Sequence, residues 1–233
     1  MKPIRLILTC EHGTNVIPTH YQALFNNNPS VLSSSRAMDY GTKALSQYLS
    51  EQLKCDILNA SVSRLLIDTN RNLHHPNCLS EFTKKLPAWE KQDLIKHYYQ
   101  QYRKSVAQKI NQILASQNQV LHVSVHSFLF NEKSCEDVVL SLLYDTKRHG
   151  EKEVARLWRN VLSSKLKPLD IRLNYPYRKR PESLVASLKK QYSEKDYLGI
   201  ELECNQNYIQ DKQSFDQIKH VLGVGLEQLM EMI

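Results

Sequence analysis

Ile4-Arg5-Leu6-Ile7-Leu8-Thr9 is a short, apolar, β-branched run, as expected of a strand buried on both faces. It leads directly into Cys10, Glu11, His12 and Gly13, which set a carboxylate, an imidazole and a glycine at its C-terminal end. A strand buried on both faces needs a covering layer on each side. In open α/β sheets, ligands bind beyond the carboxyl ends of the strands. The stretch therefore points to a layered α/β fold and to the edge where its chemistry belongs.

The rest of the chain repeats the pattern. Residues 55–60, 65–67, 120–125, 138–144, 169–173 and 199–205 have the length and composition of strands, and in the last of these Glu201, Glu203 and Asn205 share one face. Helical spacing of apolar residues marks residues 39–54, 87–116, 151–165, 183–192 and 211–232. Residues 21–35, rich in Asn, Ser and Pro and without periodicity, read as a loop placed to cover the site. Alternating strands and helices predict an α/β fold, a three-layer αβα sandwich on a mostly parallel mixed sheet. No linker or repeat divides the chain, and its 233 residues fit one domain, 1–233.

Composition excludes several classes. Hydrophobic residues make up 41% and charged residues 24%, and no apolar run approaches the roughly 20 residues of a membrane helix. No signal-peptide pattern precedes the first strand, so the expected location is the cytoplasm. Five scattered cysteines without a CxxC pair indicate reduced thiols rather than a disulfide framework or a cysteine zinc cage. The net charge of +7 is spread over helices that also carry acidic residues, and the densest cluster is only Arg178-Lys179-Arg180. That favours a small anionic partner over nucleic acid, although charge alone suits both.

Several strand ends carry the chemistry: His12, Asn70-Arg71, His126 and Glu203. Two imidazoles and a carboxylate hold Zn²⁺ with one position left for water, and a further carboxylate serves as general base and acid. An arginine fork grips a substrate carboxylate in two parallel hydrogen bonds. Each residue has a plainer alternative. His126 could be a satisfied buried histidine, Arg71 an ion-pair partner of Asp68, Glu203 a partner of Arg64 or Arg71, and Asp39 a helix cap. Cys10 and Cys204 lie near the same edge, where a strand-buried thiol is usually an inert small hydrophobe.

These residues together resemble the N-formylglutamate amidohydrolase family across most of the chain. Cys10-Glu11-His12-Gly13 with Asn15 and Pro18 is similar to its first motif, and Asp39-Tyr40-Gly41 with Leu45 to its second. The most specific stretch runs from Ser63-Arg64 through Asp68-Thr69-Asn70-Arg71 to His75-Pro76. His126-Ser127-Phe128, Leu143-Tyr144-Asp145, Asn174 with Pro176-Tyr177, and Glu201 to Gln206 complete it. The resemblance implies the fold of zinc carboxypeptidases and aspartoacylase, one Zn²⁺, and removal of a formyl or similar acyl group from an N-acyl acidic amino acid, as in histidine catabolism. By the same likeness Glu203 is the catalytic carboxylate. Asn70, Arg71, Arg64, Asn174, Tyr177 and Arg178 bind substrate, and His12 and His126 bind metal. The third metal ligand is open between Asp39 and Glu11, because Asn15 stands where aspartoacylase-like enzymes carry a glutamate. An extended backbone would point Glu11 and His12 apart unless the chain turns at Gly13, which favours Asp39. Arg178 and Ser141 replace small residues of the family pattern and bear on substrate identity. The alternative function is a non-catalytic or repurposed protein holding an anion or nucleic acid in the same cleft.

Overall fold

The computed structural model describes residues 2–129, 138–165, 170–175 and 182–233. In chain order these form β1 (Ile4–Cys10), α1 (Thr42–Leu53), β2 (Asp56–Asn59) and α2 (Ala88–Leu94). A π-helical segment (Ile95–Gln100) joins α2 to α3 (Gln101–Ala115). Then come β3 (Gln119–Phe128), β4 (Val138–Leu143), α4 (His149–Lys165), β5 (Asp170–Leu173), α5 (Leu184–Gln191), β6 (Tyr197–Asn205), α6 (Gln206–Gln210) and α7 (Lys212–Met232). The strands make one sheet in the order β2-β1-β3-β6-β4-β5. β2, β1, β3 and β6 run parallel, whereas β4 is antiparallel to β6 and carries β5 parallel to itself. This is the mixed, mostly parallel α/β architecture expected from the sequence.

Alternation along the strands assigns the layers. Leu6, Leu8, Leu121, Val123, Ile200 and Leu202 face one side, where they meet Leu45 and Leu49 of α1, Trp158 of α4, and Leu222 and Leu226 of α7. Ile7, Val120 and Tyr197 face the other, against Tyr102, Val106 and Ile110 of α3 and Leu184 and Leu188 of α5. Toward the C-terminal edge this second face turns polar. Thr9 pairs with Ser124, Ser124 with Glu201, and His126 with Glu203, all of them buried. A sheet face that stays buried while changing from apolar to ionisable side chains is the physical mark of a site, since each such group needs a partner.

Four sequence expectations change in detail. Residues 65–67 are not a strand. Leu66 N–H donates to Ser63 O (2.9 Å) and Leu65 N–H to Ser63 Oγ (3.2 Å), so the run is a turn. Its apolar side chains are buried with Ile17, Phe25, Val31 and Leu94 in a separate cluster, which explains the strand-like composition without sheet pairing. The expected loop 21–35 contains two 3₁₀ helices, Thr19–Phe25 and Pro29–Ser33. The helix expected from residue 39 starts at Thr42, with Gly41 as its N-cap at φ +73°. A Cβ at Gly41 would run into Ile209 Cγ2, so both the conformation and the space require glycine. Asp39 makes no side-chain cap; its side chain turns into the site instead. The long helix expected over 87–116 is present, interrupted by the π-helical segment.

Candidate metal and active site

His12 lies just beyond β1, where the chain turns at a glycine with no room for a side chain. A Cβ on Gly13 would meet Cys10 Sγ at 2.6 Å and Lys43 Cβ at 3.1 Å. The His12 carbonyl accepts the Asp39 N–H at 2.8 Å, so the first strand end and the approach to α1 are bound together. His126 comes from β3, which pairs with β1 as far as Ser124 and with β6 at His126 itself, opposite Glu203. These three contributions place His12, Asp39 and His126 with one potential ligand atom each, all within 4.8 Å of one another and all buried.

The two imidazoles share one pattern toward the carboxylates, although His12 Nδ1 also lies 3.3 Å from Arg64 Nη1. His12 Nδ1 lies 3.4 Å from Asp39 Oδ2, while its Nε2 lies 2.7 Å from Asp68 Oδ1. His126 Nδ1 lies 3.0 Å from the same Asp39 oxygen, while its Nε2 lies 3.2 Å from Glu11 Oε2. Each ring thus turns one nitrogen toward Asp39 and the other toward a buried carboxylate, the arrangement in which a metal-binding histidine donates its free N–H to an orienting acceptor. Asp39 Oδ1 is engaged by Arg64 Nη2, leaving Oδ2 toward both histidines. Glu11 is on the far side of His126 from that point, where it also accepts from Ser124 Oγ (2.6 Å) and Tyr102 OH (2.9 Å).

Charge follows from these contacts. Burial opposes the negative charge of Asp39, but Arg64 and hydrogen bonds from both histidines hold its carboxyl well below the usual range. Asp68, buried beside His12, Arg64 and Arg71, is held down to about 2, and Glu11 is lowered through His126 and Ser124 despite complete burial. Burial disfavours the His126 cation, yet Asp39 and Glu11 raise its pKa well above the ordinary value. A cluster of ionised carboxylates around two imidazoles, closed in by Arg64 and Arg71, is a donor set suited to a divalent cation.

A cavity of about 580 Å³ opens on this group, lined among others by His12, Asp39, Arg64, Asp68, Asn70, Arg71, His75, Phe128, Ser183 and Gln206. A depression of about 750 Å³ at the opposite edge of the sheet, around Ile4, Leu53, Asn118 and Met230, has no histidine in its lining, so chemistry rather than size marks the site. Arg71 does pair with Asp68 (Nε to Oδ2, 3.1 Å), the plainer reading of that residue, while still lining the cavity. Asn70 Nδ2 lies 3.3 Å from His126 Nε2, and its Oδ1 accepts the Leu184 N–H at 2.8 Å. Glu203 is 1% exposed, directly opposite His126 in the sheet, and its charge contributes to the raised pKa of that histidine. Glu201 accepts from Ser183 Oγ at 2.6 Å.

His126 and Glu203 stand behind the residues that line the cavity, and Asn174 is not among those residues either. The Asn174 Oδ1 accepts the Tyr144 N–H at 2.9 Å and its backbone is left-handed (φ 53°), so it shapes the turn after β5. Tyr177, Arg178 and the remainder of the basic cluster lie outside the described residues. Asn15 donates to Leu32 O at 2.9 Å in the loop wall. Burial pushes the Cys10 thiol up to about 11, and the Cys204 thiol is likewise raised by burial, both consistent with inert cysteines. Asp68 and Ser124 were visible only as neighbours of Arg71 and His126, and Tyr102 only as an apolar helix position.

A sequence profile described as N-formylglutamate amidohydrolase matches residues 4–210. The chain belongs to the N-formylglutamate amidohydrolase family. Family membership makes it a hydrolase acting on an amide. Among solved structures it is similar to the gene product Atu2144 from Agrobacterium tumefaciens, with TM-score 0.79 and 21% identity over 98% of this chain and 90% of that one. It is also similar to N-formylglutamate amidohydrolase from Ralstonia eutropha JMP134, with TM-score 0.71 and 17% identity over 100% and 94%. The CwlD amidase from Clostridioides difficile, solved with the GerS lipoprotein, is more distant, with TM-score 0.50 and 12% identity over 98% and 100%. At these identities the structural likeness speaks for the fold. No curated protein matches the sequence. Among the described residues, no helix is long and apolar enough to cross a membrane.

Proposed function

We propose that this family member is a zinc-dependent amidohydrolase that removes a formyl or similar small acyl group from an N-acyl acidic amino acid such as N-formylglutamate. The observation that carries the reading is the pair of histidines turned toward one oxygen of Asp39, each with a buried carboxylate at its other nitrogen. His12 Nδ1, Asp39 Oδ2 and His126 Nδ1 would hold the metal, and Glu11 would orient His126 rather than serve as a ligand.

Zinc so held would polarise the acyl carbonyl and make water acidic near neutral pH. The chain's own residues do the rest. Arg71, fixed by Asp68, receives the substrate carboxylate with Asn70 beside it, and Arg64 keeps Asp39 ionised. Glu203, whose partner across the sheet is His126, takes the proton of the attacking water and returns it to the leaving nitrogen. A low exposure for that carboxylate suits proton transfer, since its charge is little screened by bulk water. The amino acid leaves with its amine protonated, and the acyl group leaves as a carboxylate.

The test is a substrate panel. Purified protein with zinc should release formate from N-formyl-L-glutamate and N-formyl-L-aspartate, and much more slowly from N-formyl-L-leucine, which lacks the second carboxylate. Equal rates on all three would contradict the acidic specificity, and no release from any would contradict the formyl reading.

A further inference from the structure

Two tyrosines three residues apart reach the site from the same helical approach, and neither lines the cavity. Tyr99 is near the end of the π-helical segment and Tyr102 is the second residue of α3. Single π turns are unusual and frequently stand at functional sites, because the wider turn re-aims the side chains on either side of it. The Tyr102 hydroxyl donates to Glu11 Oε1 at 2.9 Å; Leu58 O, at 3.3 Å, is the more distant and uncharged acceptor for the same proton. Glu11 in turn faces His126 Nε2 through its other oxygen. The Tyr99 hydroxyl instead donates to the backbone carbonyl of Arg71 at 2.8 Å, joined there by Arg103 Nη1 at 2.9 Å. Arg103 packs over the Tyr99 ring, 5.0 Å from its centroid, and also bonds Ser187 on α5.

We propose that this entry turn positions the two halves of the site separately: Tyr102 sets His126 through Glu11, and Tyr99 with Arg103 sets Arg71 through its carbonyl. The inference rests on the functional reading above and deepens it. Tyr102 and Ser124 supply donors to the buried Glu11 carboxylate, which with Ser124 Oγ, 2.9 Å from His126 Nε2, fixes that edge of the ring and so aims Nδ1 at Asp39. A carbonyl carrying two donors fixes the peptide at Arg71, and with it the direction in which the guanidinium leaves the chain. Both tyrosines are positioning residues, and they act on different quantities.

Tyr102→Phe and Tyr99→Phe each delete one hydroxyl and keep the ring. Zinc affinity, measured by competition with a chromogenic chelator, should fall roughly tenfold or more in Tyr102→Phe, with KM for N-formyl-L-glutamate at saturating zinc unchanged. Tyr99→Phe should raise that KM several-fold and leave zinc affinity alone. Because Tyr102 acts through Glu11, Tyr102→Phe combined with Glu11→Gln should lose less zinc affinity than the product of the two single losses. If Tyr102→Phe does not fold, Glu11→Gln alone is read instead: it should lower zinc affinity and leave that KM unchanged, since Ser124→Ala would also remove the direct contact of Ser124 Oγ with His126 Nε2 at 2.9 Å. Unchanged zinc affinity, losses that multiply, or both variants shifting both quantities alike would overturn the inference. Wild-type protein that takes up no zinc would overturn the functional reading and this inference with it; zinc-loaded wild type beside unaffected tyrosine variants would overturn this inference alone.

Discussion

Arg71→Lys should weaken substrate binding while sparing the metal. In the wild type, Arg71 Nε lies 3.1 Å from Asp68 Oδ2 and Nη1 lies 2.6 Å from His75 Nε2. Two edges of the guanidinium are thus anchored, and among the described residues no partner is found for Nη2. A lysine keeps the charge but has one ammonium for all of these acceptors, so it cannot hold Asp68 and a substrate carboxylate in the same geometry. A hydrogen bond to a charged group contributes about 1.5–3 kcal/mol. The Arg71 side chain is 42% exposed, so solvent screening places the loss near the lower end, about 1.5 kcal/mol or roughly tenfold in KM. Because the carboxylate is remote from the reacting carbonyl and is held equally before and during reaction, kcat should change little. Steady-state kinetics on N-formyl-L-glutamate, with zinc content measured on the same preparations, read both quantities. A KM within about twofold of wild type would refute the role given to Arg71, and a loss of zinc would show that the Asp68 link to His12 dominates instead.

Asp39→Asn should lower zinc affinity by more than the 10–100-fold typical of an orienting partner, and Glu11→Gln by no more than that, both read by chelator competition; the opposite order would make Glu11 the ligand. Glu203→Gln should keep zinc and KM but lose roughly 10²–10⁴-fold in kcat, and a smaller loss than in Glu201→Gln would move the proton-transfer role to Glu201. Since Asp39 and Glu11 keep metal-free His126 protonated, metal uptake at Nδ1 displaces a proton, so zinc affinity should rise by up to about tenfold per pH unit; isothermal titration in buffers of different ionisation enthalpy would show no proton release if this is wrong. Burial pushes His122 down from 6.5 to about 4, so between those values the unfolded chain binds more protons than the folded one. Stability should therefore fall by up to about 3 kcal/mol as pH drops through that window, as followed by urea unfolding. His122→Gln, which cannot titrate, should flatten the dependence, and an equal slope in the variant would assign it to other groups.

Much of this was legible in the sequence because β-strand alternation converts spacing into direction. His126 and Glu203 could be placed at a common edge, and the sheet pairs them directly. A turn at Gly13 is the condition under which Glu11 and His12 reach one metal. The turn is there, yet it leaves them on different sides of His126, with Glu11 on Nε2 and His12 facing Asp39. Asp39 was a candidate for two roles, and a cap was one of them. Its true neighbours, His12, His126 and Arg64, are 25 to 87 residues away in the chain, a distance no local pattern reports. The same limit hid Tyr102, whose apolar ring fits the helix face so well that its hydroxyl, 91 residues from Glu11, left no separate signal. Residues 65–67 failed for a different reason: burial beneath a loop layer selects the same apolar residues as burial in a sheet.

His12, Asp39 and His126 are proposed to form a metal centre. This is tested most directly by elemental analysis of the purified protein after dialysis against zinc and removal of loosely held ions. One zinc per chain is expected, retained in Arg71→Lys and lost in His12→Ala and His126→Ala while each variant stays folded by circular dichroism. Wild-type protein that remains metal-free yet binds glutamate or another small anion would contradict it, and would identify the cleft as an anion-binding site without a metal.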